Sequence, residues 1–140
     1  DTPAMIRTIR NKFPKKSIVI YPDSAGNSRN TTSSGVTDIK LLKAAGFRVV
    51  VDKSNPMIRD RVNSMNAMFL NAMGVRRYFI NDTLCPEYAS DLEQQAYDKN
   101  GLPDKSAGRD HKPDAGGYFI NKRYGINIKR IRTEAGSLAH

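Results

Sequence analysis

Asp110, His111 and Asp114 stand in the segment Arg109-Asp-His-Lys-Pro-Asp-Ala-Gly-Gly-Tyr, with the imidazole of His111 and the carboxylate of Asp114 three positions apart, on one helical face. Such a pair can hold a metal ion or move protons near neutral pH. A plainer role is also open: Asp110 as a helix cap, Asp114 near the positive end of the helix dipole, and His111 merely exposed. Gly116 and Gly117 weigh against it. Each glycine inside a helix costs about 1 kcal/mol relative to Ala, which a close approach of backbone to another element would explain. Asp23, Asp52 and Asp82 each follow a short apolar run. Ligands of open parallel sheets bind beyond the carboxyl ends of strands, so these acids are candidates too, although Asp is equally a common turn former.

The elements that must position these groups follow from the pattern. Thr2 and Pro3 read as N-cap and first position of a helix carrying Met5, Ile6, Ile9 and Phe13 at helical spacing, stopped by Pro14. Ile18 to Tyr21 is a short β-branched run, apolar on both faces as a buried parallel strand is. Ser24 to Ser34 is polar and Gly-containing, hence a loop. Thr37 and Asp38 start a helix that Gly46 closes, and Phe47 to Val51 gives a second buried strand. Asn55 and Pro56 lead a longer helix with Ile58, Val62, Met65, Phe69 and Met73 on its stripe, closed by Gly74. Tyr78 to Ile80 reads as a third strand, Pro86 to Tyr97 as a helix, Lys99 to Arg109 as a loop, and the residues through Tyr118 and Phe119 as a last helix. Strands alternating with helices imply an α/β fold with a parallel sheet.

Composition narrows the partners. The 140 residues carry 39% apolar content, enough for a single domain with one core. Lys and Arg number 23 against 14 acids, a net charge of +9 that favours polyanions and makes nucleic acid the first partner to consider. Cys85 is alone, which excludes an intrachain disulfide and suits a reducing compartment. No apolar run approaches a membrane span and the first residues lack a signal-peptide layout, so the expectation is a soluble intracellular protein. No phosphate-loop motif Gly-x-x-x-x-Gly-Lys occurs.

Three ordered segments carry a resemblance. Tyr21-Pro-Asp-Ser-Ala-Gly, then Asn55-Pro-Met-Ile-Arg-Asp-Arg-Val-Asn, then Asp110-His-Lys-Pro-Asp-Ala-Gly-Gly-Tyr together resemble the C-terminal nuclease region of phage terminase large subunits, over roughly residues 17 to 124. The resemblance implies an RNase H-like fold, related to Holliday-junction resolvases, with a parallel-rich central sheet flanked by helices. It also implies an acidic cluster binding two divalent ions, Mg²⁺ or Mn²⁺, and cutting of concatemeric double-stranded viral DNA in the host cytoplasm. Asp23 matches the acid ending the family's central strand, Asp114 the late helical acid, and His111 the imidazole before it. Asp52 and Asp82 match no family acid and rank lower. The family's first acid lies on an opening strand ahead of the helix at Thr2, and this chain lacks it. The expectation is therefore a partial nuclease domain over residues 1–140 with a basic tail at 125–140: an excised piece, a truncated product or a prophage remnant. The family's other partners are the portal, the small terminase subunit and the ATPase domain of the same chain.

Phosphodiester hydrolysis needs a hydroxide near neutral pH and neutralised charge on the attacking and leaving oxygens, which two divalent ions about 3.5–4 Å apart supply. On this reading Asp23 and Asp114 are ligands, while His111 either binds metal or shuttles a proton. Arg59 and Asn63, with Asn66, share a helix face that could track phosphates, and Arg29 lies in the loop after Asp23. From Lys122 and Arg123 to Arg132, basic residues interleave with Tyr124 and isoleucines, as a ribbon along DNA would. A solvated helix face and a solvated tail are the rival readings of these last groups. A non-catalytic DNA-binding or docking module with an incomplete metal site is the alternative function.

Overall fold

The computed structural model describes residues 1–28 and 35–126. They form two compact units, Asp1–Asn55 and the segment from Pro56 onward. In the first unit, α1 spans Thr2–Lys12, β1 Val19–Ile20, a 3-10 turn Ser24–Asn27, α2 Asp38–Ala44 and β2 Arg48–Val49. Asp1, not Thr2, caps α1: its carboxylate accepts from the Ala4 amide at 2.8 Å, and Thr2 is buried as the first helical residue. Thr37 caps α2 as expected, its hydroxyl accepting from the Lys40 amide, and Gly46 takes the left-handed φ of +81° after it.

β1 and β2 pair in parallel with Val19 opposite Arg48 and Ile20 opposite Val49. Among the described residues they are the whole sheet, and each is shorter than its apolar run. Val19 and Arg48 are exposed while Ile20 and Val49 are half-buried. A two-stranded sheet covered on one side leaves its other face to solvent, so the expected two-sided burial is not present. Ile39, Leu42 and Phe47 are the buried apolar core of this unit among the described residues. Arg10 ties α1 to this core: its guanidinium sits 4.2 Å from the Phe47 ring centre and donates to the Ala45 carbonyl at the end of α2 at 2.6 Å.

The second unit is helical, with α3 at Ile58–Phe69, α4 at Pro86–Gln94 and α5 at His111–Tyr124. Met65, Met68 and Ile120 form its core, and Phe69, Tyr78 and Leu92 pack against it. Helix α3 ends at Phe69 and does not run on to Met73, which is exposed. The Asn71 side chain accepts from the Met73 and Val75 amides, both at 2.9 Å, and this local turn competes with helix continuation. Gly74 closes that turn with φ +77°. The expected strand at Tyr78 to Ile80 is not a strand. The Arg77 and Tyr78 amides both donate to the Met68 carbonyl, and the Tyr78 ring packs 5.1 Å from Phe69. Those residues thus cover the end of α3, leaving Phe79 exposed.

The two glycines of α5 are explained by close approach. A side chain at Gly117 would meet the Arg61 Cγ and Cδ at 2.7 and 2.8 Å, and one at Gly116 would overlap the Tyr88 hydroxyl. Helix α5 therefore lies against α3 and α4 at a distance that only glycine permits.

Candidate active site

Asp114 is on the first turns of α5, and its Oδ1 accepts from Arg61 Nη2 at 2.6 Å. The Arg61 side chain is only 4% exposed, so its charge is held by this carboxylate and by the Tyr118 ring, 4.7 Å from the guanidinium carbon. A buried cation without a partner costs several kcal/mol, so Asp114 is the counter-ion that lets Arg61 sit in the interior. The stem of Arg61 fills the space beside Gly117. Helix α5, its glycine and the buried arginine form one packed arrangement that fixes where Asp114 stands.

Asp110, one turn earlier, is 5% exposed and is the N-cap of α5, although its carboxylate makes no capping bond. Instead Asp110 Oδ2 and Asp114 Oδ2 both face the Lys105 ammonium, at 3.4 and 4.0 Å. Carboxylate oxygens gathered about one cation are the donor kind that Mg²⁺ or Mn²⁺ takes. Among the described residues, no three His, Cys, Asp or Glu side chains cluster as a metal site would require. In kind, then, the donors fit a hard divalent ion, with two carboxylates in this unit.

Both acids line a cavity of about 450 Å³ whose wall also includes Asp82, Glu93 and Gln95, with Met65, Phe69 and Leu92 on its apolar side. Gln95 gives both donor contacts to backbone carbonyls, of Ala96 and Asp104, and its Oε1 is buried without a partner among the described residues. His111 is exposed and makes no hydrogen bond or ion pair among the described residues, so the imidazole and Asp114 share a helix without touching.

Asp23 belongs to the first unit, where it follows β1 as the sequence requires. It caps the 3-10 turn, its Oδ1 accepting from the Ala25 amide at 2.8 Å and from Asn55 Nδ2 at 2.6 Å. Asn55 returns a second bond, its Oδ1 accepting from the Ser24 amide at 2.9 Å. Asn55 had been expected to lead α3. It is instead the clamp of the Asp23 loop, and Met57 precedes α3 without a side-chain cap.

A family model described as the terminase RNaseH-like domain matches residues 1–123. The chain belongs to that family. No curated protein and no solved structure matches it. The terminase domain therefore places its two motif acids in different units, Asp23 behind a strand and Asp114 on a helix. No helix among the described residues is long and apolar enough to cross a membrane.

The proposed phosphate-tracking residues take varied positions. Arg59 and Asn63 are exposed on α3, with Arg59 Nη2 only 3.5 Å from the Asn100 carbonyl oxygen. Lys122 and Arg123 are exposed in the last turn of α5, where cations also favour the helix dipole. Arg29 and the tail residues from 127 onward lie outside the described residues. Asp52 is exposed after β2. Asp82 is exposed too, yet it reaches the cavity that Asp110 and Asp114 share. Sequence reasoning missed Arg61, Lys105 and Asn55. The one legible signal was at Arg61, a charge three and four residues from apolar positions of α3, opposite a double glycine.

Proposed function

We propose that this chain is the metal-dependent endonuclease module of a viral DNA-packaging terminase, cutting concatemeric double-stranded DNA. Membership of the terminase RNaseH-like family over residues 1–123 carries the reading. The acids proposed to serve it are Asp23 and Asp114, with His111 as a third ligand or a proton carrier. Two Mg²⁺ or Mn²⁺ ions would supply the hydroxide and neutralise charge on the phosphate oxygens. Arg61 holds Oδ1 of Asp114, and Oδ2, which faces the Lys105 ammonium at 4.0 Å, is the oxygen proposed as ligand. Arg29, Arg59, Asn63, Lys122 and Arg123 are proposed to contact DNA phosphates. The RNase H-like architecture would add a parallel-rich central sheet around the β1–β2 pair. A portal, a small terminase subunit and an ATPase domain of the same polypeptide would be its partners, and the cytoplasm of an infected host its setting.

The second reading is a non-catalytic DNA-binding module, for which the excess of 23 Lys and Arg over 14 Asp and Glu would suffice. Nicking and linearisation of supercoiled plasmid separates the two. Cutting that requires Mn²⁺ or Mg²⁺, stops with EDTA and is lost in both Asp23→Ala and Asp114→Ala is the expected result. Salt-sensitive DNA binding without any cutting would establish the second reading instead.

A further inference from the structure

The turn joining α1 to β1 runs Phe13-Pro14-Lys15-Lys16, and Lys15 sits there with φ +59°. Among the described residues it is the only non-glycine with positive φ. An L side chain in this region costs about 1–2 kcal/mol, which glycine avoids and asparagine largely avoids. Gly35, Gly46, Gly74, Gly101 and Gly108 occupy the same region, so the chain uses glycine wherever only the backbone matters. Nothing in the fold compensates for a lysine at this place. Its side chain is exposed and makes no hydrogen bond, ion pair or ring contact among the described residues.

Charge around the turn points the same way. Lys12 and Lys16 flank it, both exposed, and neither is ion-paired among the described residues. In the second unit Lys105, Arg109 and Lys112 are paired with carboxylates, whereas the exposed Arg76 and Lys99 are not ion-paired among the described residues. Cations left unneutralised on a strained turn are suited to an external anion, and repeated phosphates release counterions when such groups replace them.

We propose that the Lys15–Lys16 turn is a DNA phosphate contact, a site that positions the duplex and reads no sequence. This rests on the reading that the module acts on DNA, but not on its cutting DNA. The turn precedes β1 and Asp23 follows it, seven residues after Lys16. Fully extended, that stretch spans at most about 25 Å. One turn of duplex, about 34–36 Å, therefore reaches both within this unit.

The test measures binding of a fluorescent 30-base-pair duplex in EDTA across a KCl series, beside melting temperature. Lys15→Asn removes the charge from a residue type that tolerates the turn, and Lys15→Gly repeats the test with no steric cost. Both variants should lower the salt slope of log K by about 0.9 each, and Lys15→Asn with Lys16→Gln by about twice that. Affinity should drop several-fold while the melting temperature holds or rises. Lys112→Gln, whose ammonium is paired with Asp91 and Glu87, should leave the slope unchanged. An unchanged slope in the Lys15 variants overturns the proposal whatever the melting temperature does. Failure of plasmid cutting with an intact Lys15 effect would sink the endonuclease reading alone, and absence of salt-sensitive binding by the unsubstituted chain would sink both.

Discussion

The two units of this chain handle charge in opposite ways. In the second, a buried arginine is neutralised by Asp114, and Asp91 joins Arg109 and Lys112 at 3.4 and 3.0 Å, so that α4 and α5 are laced together by ion pairs. In the first, exposed cations such as Lys15, Lys16, Lys40 and Lys43 make no ion pair among the described residues, and the candidate acid Asp23 is held by neutral amides. A carboxylate held by an arginine has half of its charge demand answered internally. Asp23, for its part, takes two amide donors on one oxygen, Oδ1. The buried ion pair thus belongs to the second unit, while the first holds its candidate acid at a loop.

Breaking the buried pair should have the largest effect. Asp114→Asn keeps the shape but leaves the Arg61 charge uncompensated, and should cost about 3 kcal/mol, the low end for a buried pair because Asp114 is 21% exposed. Urea denaturation measures this, and a double variant with Arg61→Met should recover much of the loss. If the double variant is no better than the single, the pair is not the stabilising unit. Gly117→Ala is the next largest: the added carbon would press on the Arg61 stem, and overpacking of this kind costs about 1–3 kcal/mol. Arg61→Ala in the same background should relieve the clash, which a double-mutant cycle would detect.

In the first unit the expected loss is smaller. Asn55→Ala should cost about 1 kcal/mol, the ordinary net value of such hydrogen bonds, and free the Asp23 loop, visible as faster exchange of the Ser24 amide. Loss comparable to that of Asp114→Asn would erase the contrast between the units. The smallest effect concerns pH. The Leu102 and Asn100 amides donate to Asp98 and hold its carboxyl below the usual range. With its folded value lowered, Asp98 contributes order that is complete above the unfolded value of about 3.9 and is lost as pH falls through the folded one. The protection factor of the Leu102 amide, its exchange rate corrected for the intrinsic pH dependence, should fall only at that acid end and stay constant near neutrality.

Local chemistry was legible where it was self-sufficient. Thr37 as a cap, Gly46 after α2 and the double glycine of α5 each answer to a rule about one residue and its neighbours. The strands were read too long because the length of an apolar run says nothing about whether a partner strand lies alongside. Val19 and Ile20 found β2, whereas Tyr78 to Ile80 found the end of α3. The candidate acids were legible by motif, yet their surroundings were not. Nothing in the spacing of Asp114 announced that Arg61, 53 residues earlier, would hold it.

By itself the sequence determined the alternation of elements in the first unit, the basic balance, the resemblance to a terminase nuclease and the positions of Asp23 and Asp114, because periodicity, composition and ordered motifs are properties of the chain alone. Only tertiary structure decided which charges are neutralised. A guanidinium is a liability when buried and an asset when exposed, and which it becomes depends on the carboxylate that the fold brings to it.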